Sequence, residues 1–202
     1  MEKHRVNGNK AMAKTKKPQL SPADQWVDVH GNYLYRFALS RLRNTELAEN
    51  AVQETLLAAL QARKSFSGNS SERTWLIGIL KHKIIDHYRK RYREIPVTDL
   101  QSDEKAIDSF FDYTGHPKEF PSNWLPNPRE VTSKHEFWEV FEKCLKKLPK
   151  TTADVFSLRE MDHMDTKKIC KIIGITSTNL WVILHRARLQ LRRCLEANWF
   201  QE

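Results

Sequence analysis

The chain has 202 residues, with 34 Lys plus Arg against 25 Asp plus Glu, a formal net charge of +9 and a pI near 9.5. That length holds one domain of ordinary size or two small ones, and the basic excess at a mean hydropathy of −0.65 points to an acidic partner, nucleic acid first and an anionic membrane surface second. No apolar run exceeds six residues even counting Gly (75–80), so neither a spanning helix nor a signal peptide is expected and the predicted location is cytoplasmic. Three cysteines, Cys144, Cys170 and Cys194, stand 26 and 24 residues apart with no C-x-x-C pair, so neither a disulfide framework nor a zinc finger is expected to organise the fold, and all three read as core packing.

Charge divides the chain. Residues 1–19 carry +5, 20–93 carry +5, 94–136 carry −5 and 137–202 carry +4. The acidic stretch also holds five of the eight prolines. Four segments follow: a flexible basic tail (1–19), a helical block (20–93), an acidic Pro-rich linker (94–132) that cannot bury enough apolar surface to offset its ordering entropy, and a second helical block (133–202).

In the first block, Trp26, Val29, Tyr33, Leu34, Phe37, Ala38 and Leu42 recur at three- and four-residue steps, the stripe of an amphipathic helix. A second stripe runs through Leu47, Ala48, Ala51, Val52, Thr55, Leu56, Ala59 and Leu60, opened by a cap at Asn44 or Thr45. A third, from about Glu72, joins Trp75, Leu76, Ile79, Leu80, Ile84 and Tyr88, with Lys81, Lys83, Arg89, Lys90, Arg91 and Arg93 on the remaining surface and Pro96 soon after its end.

The second block opens on a capping box at Ser133, Lys134, His135 and Glu136, followed by Phe137, Trp138, Phe141, Cys144, Leu145 and Leu148 on one face and by Pro149. A short helix around residues 153–160, another at 166–173, a Gly174 turn and a long helix capped by Thr176 or Ser177 complete it. Leu180, Ile183, Leu184, Ala187, Leu191 and Leu195 face its core, leaving polar and basic groups outward. Helix, Gly-containing turn, helix is the helix-turn-helix layout that places a second helix in the major groove, though a plain helical hairpin has the same punctuation. Period-two alternation is almost absent, so the fold class is all-α with two small helical domains.

These residues resemble a known family. Leu148-Pro149, Val155-Phe156, Leu158-Arg159-Glu160, Ile172-Ile173-Gly174-Ile175-Thr176 and Leu184-His185-Arg186-Ala187-Arg188-Leu189 are similar to region four of the bacterial RNA polymerase sigma factors called extracytoplasmic-function (ECF). Residues 49–56, the Ser65-Phe66-Ser67-Gly68 run, Thr74-Trp75-Leu76 and residues 84–89 are similar to region two of the same group. The two matches stand in the family's order and cover about residues 21–93 and 136–199.

The resemblance implies a sigma factor that binds core RNA polymerase, at the clamp helices of the largest subunit and the flap of the second largest, and directs it to promoter DNA. Region two then reads the minus-ten element as single strand, with Ser67, Gly68, Asn69, Ser70 and Trp75 at the base-capturing loop and Lys81, Lys83, His87, Tyr88, Arg89, Lys90 and Arg91 on the helix behind it. Small hydroxyl and amide groups suit a flipped base edge, and long clustered cations suit phosphates. Trp75 and Tyr88 also lie on the apolar stripe, where a core role is the competing reading. Core polymerase would be met by Glu49, Asn50, Gln53, Glu54 and Leu57. Region four reads the minus-thirty-five duplex through Arg159, Ser177, Thr178, Trp181, Val182, His185, Arg186 and Arg188. Members commonly carry polar residues where this chain has Trp181, Val182 and Ile183, so Trp181 and Val182 face either thymine methyls or a protein partner.

An anti-sigma factor is a further implied partner, and the acidic linker suits the polymerase cleft. No membrane insertion, cofactor, metal or catalytic residue is expected, and in holoenzyme the protein would sit on the nucleoid. Two alternatives stay open: a helix-turn-helix regulator acting without core polymerase, and a helical nucleic-acid-processing enzyme, against which stands the lack of any H-E-x-x-H, D-x-D or nucleophile-elbow motif.

Overall fold

The computed structural model describes residues 19–94 and 135–199. The tail, the linker and the first half of the Ser133 capping box lie outside the described residues, apart from the tail's last position and the linker's first. Among the described residues the fold is all-α, with no strand: α1 (Trp26–Leu42), α2 (Thr45–Ala62), α3 (Glu72–Glu94), α4 (His135–Lys147), α5 (Lys150–Phe156), α6 (Thr166–Ile173) and α7 (Ser177–Asn198). A π-helical turn, Ser157–Met161, extends α5, so this helix begins three residues before the expected 153.

The buried stripe of α1 is rotated from the expected one. Trp26, His30, Leu34, Ala38, Arg41 and Leu42 are buried, while Val29 and Tyr33 are exposed. Hydrophobicity alone misses this because two of the inward positions are polar and become acceptable only through partners. His30 Nε2 lies 2.6 Å from Glu72 Oε1, and the same carboxylate accepts from the Ser21 backbone N–H at 2.5 Å and Ser21 Oγ at 2.9 Å. Burial by itself would raise the Glu72 carboxyl, but the hydrogen bonds from His30 and Ser21 outweigh it and hold the group below its ordinary value. The Trp26 indole N–H adds to this stabilisation electrostatically, although it makes no hydrogen bond of full geometry.

Helix α2 turns small residues inward: Ala48, Ala51, Thr55 and Ala59 are buried, and Thr55 Oγ1 donates to the Ala51 carbonyl at 2.7 Å. This lets α2 lie close against α1 and α3. Leu60, expected on the stripe, is exposed. Asn44 caps α2 by accepting from the Leu47 N–H at 2.9 Å. In α3 the buried set repeats every four residues through Leu76, Leu80, Ile84, Tyr88 and Tyr92.

The second block contributes to two cores. One gathers Phe137, Cys144, Leu145, Leu148, Ala153, Phe156 and the C-terminal half of α7. The other joins the first block to Val155, Leu158, Ile169, Ile172, Ile173, Leu180, Ile183 and Leu184: α6 packs on α3, and the start of α7 completes the same core. Cys144 and Cys194 face each other from α4 and α7 and form a disulfide, with Cα atoms 5.7 Å apart and a sequence separation of 50. This corrects the expectation of three unpaired core cysteines. The pair meets only because two helices distant in sequence pack together, which spacing along the chain does not encode. Cys170 is the free thiol, and burial pushes its pKa up.

Candidate nucleic-acid interface

The loop before α3 is shaped by Gly68, whose φ of 71° lies in the left-handed region open to glycine at little cost. Ser67 and Asn69 flank it at the surface, while Ser70 is half-buried. Ser71 closes the loop as the cap of α3, its hydroxyl accepting from the Thr74 N–H at 3.2 Å. Trp75 is half-buried, its ring centroid 5.3 Å from Phe66 and 6.1 Å from Trp26. Tyr88 needs correction more sharply: it is 1% exposed and its hydroxyl donates to the Arg41 carbonyl at 2.8 Å, so it belongs to the core and offers no face to a base.

The cations of α3 divide into two groups. Arg89 and Lys90 are exposed, Arg89 pairing with Asp86 at 3.0 Å. Lys81, Lys83 and Arg91 are half-buried and engaged by carboxylates of this chain: Lys83 with Glu54 at 3.3 Å, Lys81 with Asp162 at 3.6 Å and Arg91 with Asp154 at 2.7 Å. His87 lies between them; burial, then the nearby Arg91 charge, pushes its pKa down and favours the neutral ring.

On α2, Glu49, Asn50, Gln53, Glu54 and Leu57 are all exposed. Their spacing of one, three, one and three residues draws one continuous stripe along the helix, opposite the small residues that pack inward. An exposed Leu57 at 60% among polar neighbours gives the stripe an apolar centre.

The helix-turn-helix forms as expected. Asp165 caps α6, accepting from the Lys167 N–H at 2.8 Å. Gly174, with a φ of 81°, ends it by donating its N–H to the Cys170 carbonyl at 2.9 Å. Thr176 then caps α7 by accepting from the Asn179 N–H at 3.2 Å. Ser177, Thr178, Trp181, Val182, His185 and Arg188 are exposed along one face of α7, with Arg186 half-buried beside them. Arg159 joins that face from the preceding turn: its guanidinium lies 6.0 Å from the Trp181 ring centroid and donates to the Met164 carbonyl at 2.9 Å. Arg188 pairs with Glu160 at 2.5 Å.

Sequence reasoning passed over the residues that join the two blocks: Arg41, Arg43, Tyr92, Asp154 and Asp162. Asp154 is fully buried and accepts from Arg43, from Arg91 and, at 2.7 Å, from the Tyr92 hydroxyl. Burial and this carboxylate push the Tyr92 phenol far above its ordinary pKa, so it remains a donor. Arg41, stacked 3.6 Å over the Phe37 ring, donates to Asp162 at 3.2 and 3.3 Å. The available signal was an acidic residue set in the apolar run Ala153-Asp154-Val155-Phe156. Asp165 caps α6, whereas Asp162, three residues earlier, pairs with Arg41 and Lys81 instead.

Among the described residues no group of His, Cys, Asp and Glu is placed to hold a metal ion, and no helix is long and apolar enough to cross a membrane.

Comparison with known proteins agrees with this layout. Residues 26–94 match the family Sigma-70 region 2, and residues 138–191 match Sigma-70, region 4. A probable RNA polymerase sigma factor of Haemophilus influenzae is 40% identical over 160 residues, covering 79% of this chain and 82% of that protein. The RNA polymerase sigma factor YlaC of Bacillus subtilis is 32% identical, covering 80% and 83%. The ECF RNA polymerase sigma factor SigM of the same organism is 26% identical, covering 84% and 92%. With both regions present in order on an all-helical fold, the chain belongs to the ECF group of the sigma-70 family of RNA polymerase sigma factors.

Proposed function

We propose that this protein binds core RNA polymerase through the exposed α2 stripe and directs it to promoters, taking the minus-ten element as single-stranded DNA at the loop before α3 and the minus-thirty-five element as duplex on the outer face of α7. The observation that carries the reading is the pairing, in one chain, of the polar α2 stripe with a separate helix-turn-helix face. A regulator that binds DNA alone needs only the second. Residues 20–93 and 133–202 act as the two functional regions, joined by the acidic linker at 94–132.

The chemistry available is recognition. Glu54 and Gln53 can accept from and donate to side chains of a partner helix. Ser67 and Asn69 present small exposed polar groups suited to a base edge on either side of Gly68, which is itself buried and shapes the loop through its left-handed backbone. Lys90 and Arg89 supply sequence-blind phosphate contacts. Trp181 and Val182 add apolar surface at the start of α7, suited to thymine methyls. The protein carries out no covalent step itself, works in the cytoplasm, and is held in check by an anti-sigma factor.

Reconstituted transcription tests this. Purified protein added to core enzyme and genomic fragments should give discrete run-off transcripts whose start sites share upstream elements. Tight binding to duplex promoter without core enzyme, together with no transcript when core is added, would instead identify a helix-turn-helix regulator. Replacing Gln53 and Glu54 together by Ala should weaken capture of core enzyme with the circular dichroism unchanged.

A further inference from the structure

Asp154 is 0% exposed, set between Ala153 and Val155, which are equally buried. A carboxylate in such a place is costly unless paired, and its named partners all come from the other block: Arg43 at the end of α1, Arg91 and Tyr92 on α3. Arg43 reaches it from a left-handed backbone conformation, φ 53°, unusual for a residue with a side chain. Beside this centre, Asp162 takes Arg41 at 3.2 Å and Lys81 at 3.6 Å. Two carboxylates of the second block thus engage four cations and a tyrosine of the first, over an apolar floor that includes Val155, Leu158 and Ile169.

We propose that Asp154 is the centre of an intramolecular latch, supported by Asp162, which holds the two blocks closed and withholds Lys81 and Arg91 from nucleic acid. The inference rests on the proposed reading of α3 as a DNA-facing helix. A phosphate backbone competes for the same guanidinium and ammonium groups, so closure and DNA binding are mutually exclusive at these side chains, and by linkage each weakens the other. An apparent affinity falls by the fraction of molecules that are open. The connection does not oppose separation: 40 residues, 95–134, reach roughly 130 Å at full extension. A contact built on ion pairs as well as apolar surface also suits an interface that must come apart.

The test uses two full-length variants of opposite charge. Asp154→Asn removes the accepting charge, and Arg43→Asn removes a cation with a residue that tolerates the left-handed backbone. Small-angle X-ray scattering should show a larger radius of gyration for both than for the wild type. Fluorescence anisotropy with a mixed-sequence single-stranded oligonucleotide should show both binding about tenfold more tightly, as expected if a tenth or less of the wild type is open. Arg43→Asn is the decisive arm, because loss of a cation alone would weaken DNA binding. Circular dichroism identifies a variant that has lost its helices, and the other then carries the test. Unchanged dimensions in a folded variant overturn the latch, as does expansion without tighter binding. Transcription with core enzyme separates this from the polymerase reading: expansion and tighter binding with no transcript from any of the three proteins would remove the sigma function and leave the latch standing.

Discussion

The two blocks each seat a long helix, α3 in the first and α7 in the second, and they do so with different chemistry. In the first, α3 is seated by an aliphatic and aromatic ladder whose polar ends are tied by hydrogen bonds: Glu72 gathers Ser21 and His30 at one end, and Tyr88 reaches the Arg41 carbonyl further along. In the second, α7 is seated on a mixed aliphatic and aromatic cluster that includes Leu145, Phe137 and Phe156, and is joined covalently to α4 through Cys144 and Cys194. The difference shows two ways of stabilising a helix on a core too small to supply much apolar burial: several directed polar contacts, each sensitive to protonation, or one bond that acts chiefly on the unfolded chain. It also predicts that the two blocks fail under different conditions.

The largest effect falls on the second block. Closing a loop between residues 50 positions apart lowers the entropy of the unfolded chain enough to stabilise by about 4 kcal/mol, so Cys194→Ser, or reductant added to the wild type, should lower the melting temperature of the second block more than that of the first. Equal melting with and without reductant would break the comparison. The same measurement across a range of thiol-to-disulfide ratios should show α4 released as the Cys144–Cys194 bond is reduced.

Next comes the polar tie of the first block. Glu72→Gln should cost about 2 kcal/mol at neutral pH, since it removes the charge from a half-buried acceptor of several hydrogen bonds. The Glu72 carboxyl is held below its ordinary value of 4.5, so the unfolded chain binds its proton first on acidification; the contribution is present above 4.5 and is lost as pH falls through the lower folded value. Urea midpoints of wild type and variant should therefore converge below pH 4.5. His87 has the same sign in a higher window: its depressed pKa means that stability is lost as pH falls below 6.5. A gap between wild type and Glu72→Gln that stays constant from pH 7 to pH 3 would remove the tie from the comparison.

Smaller effects sharpen it. Thr176→Ala removes the hydrogen bond that caps α7 and should cost about 1 kcal/mol. Tyr88→Phe, losing one buried hydroxyl donor to Arg41, should cost a similar ~1 kcal/mol in the first. Lys90→Ala should leave the melting of both blocks unchanged, because the side chain is exposed, yet flatten the log–log salt dependence of promoter binding by about one unit. An unchanged salt slope would show that Lys90 is only solvated.

How far the sequence was legible depended on whether a residue's role was local. Caps and turns are set within a few residues of chain, and Asn44, Asp165, Gly174 and Thr176 all do what their positions imply. The outer face of α7 follows from helical period, whereas period marks the α2 stripe only as exposed polar surface and its choice came from the family resemblance. The α1 stripe did not, because His30 and Arg41 are buried by virtue of Glu72 and Asp162, which are remote in sequence. Tyr88 shows the same limit: an aromatic residue on an apolar stripe can face either way, and the Arg41 carbonyl decided it.

The all-helical class, the division into two basic blocks and the helix-turn-helix were thus determined by sequence, since composition, helical period and capping chemistry act over short distances. Tertiary structure alone decided which cysteines pair, which polar residues turn inward, and that Lys81 and Arg91 lie against carboxylates of the second block. Those outcomes depend on groups brought together from 42 to 121 residues apart, where burial makes an unpartnered charge costly and a partner from another helix must be found.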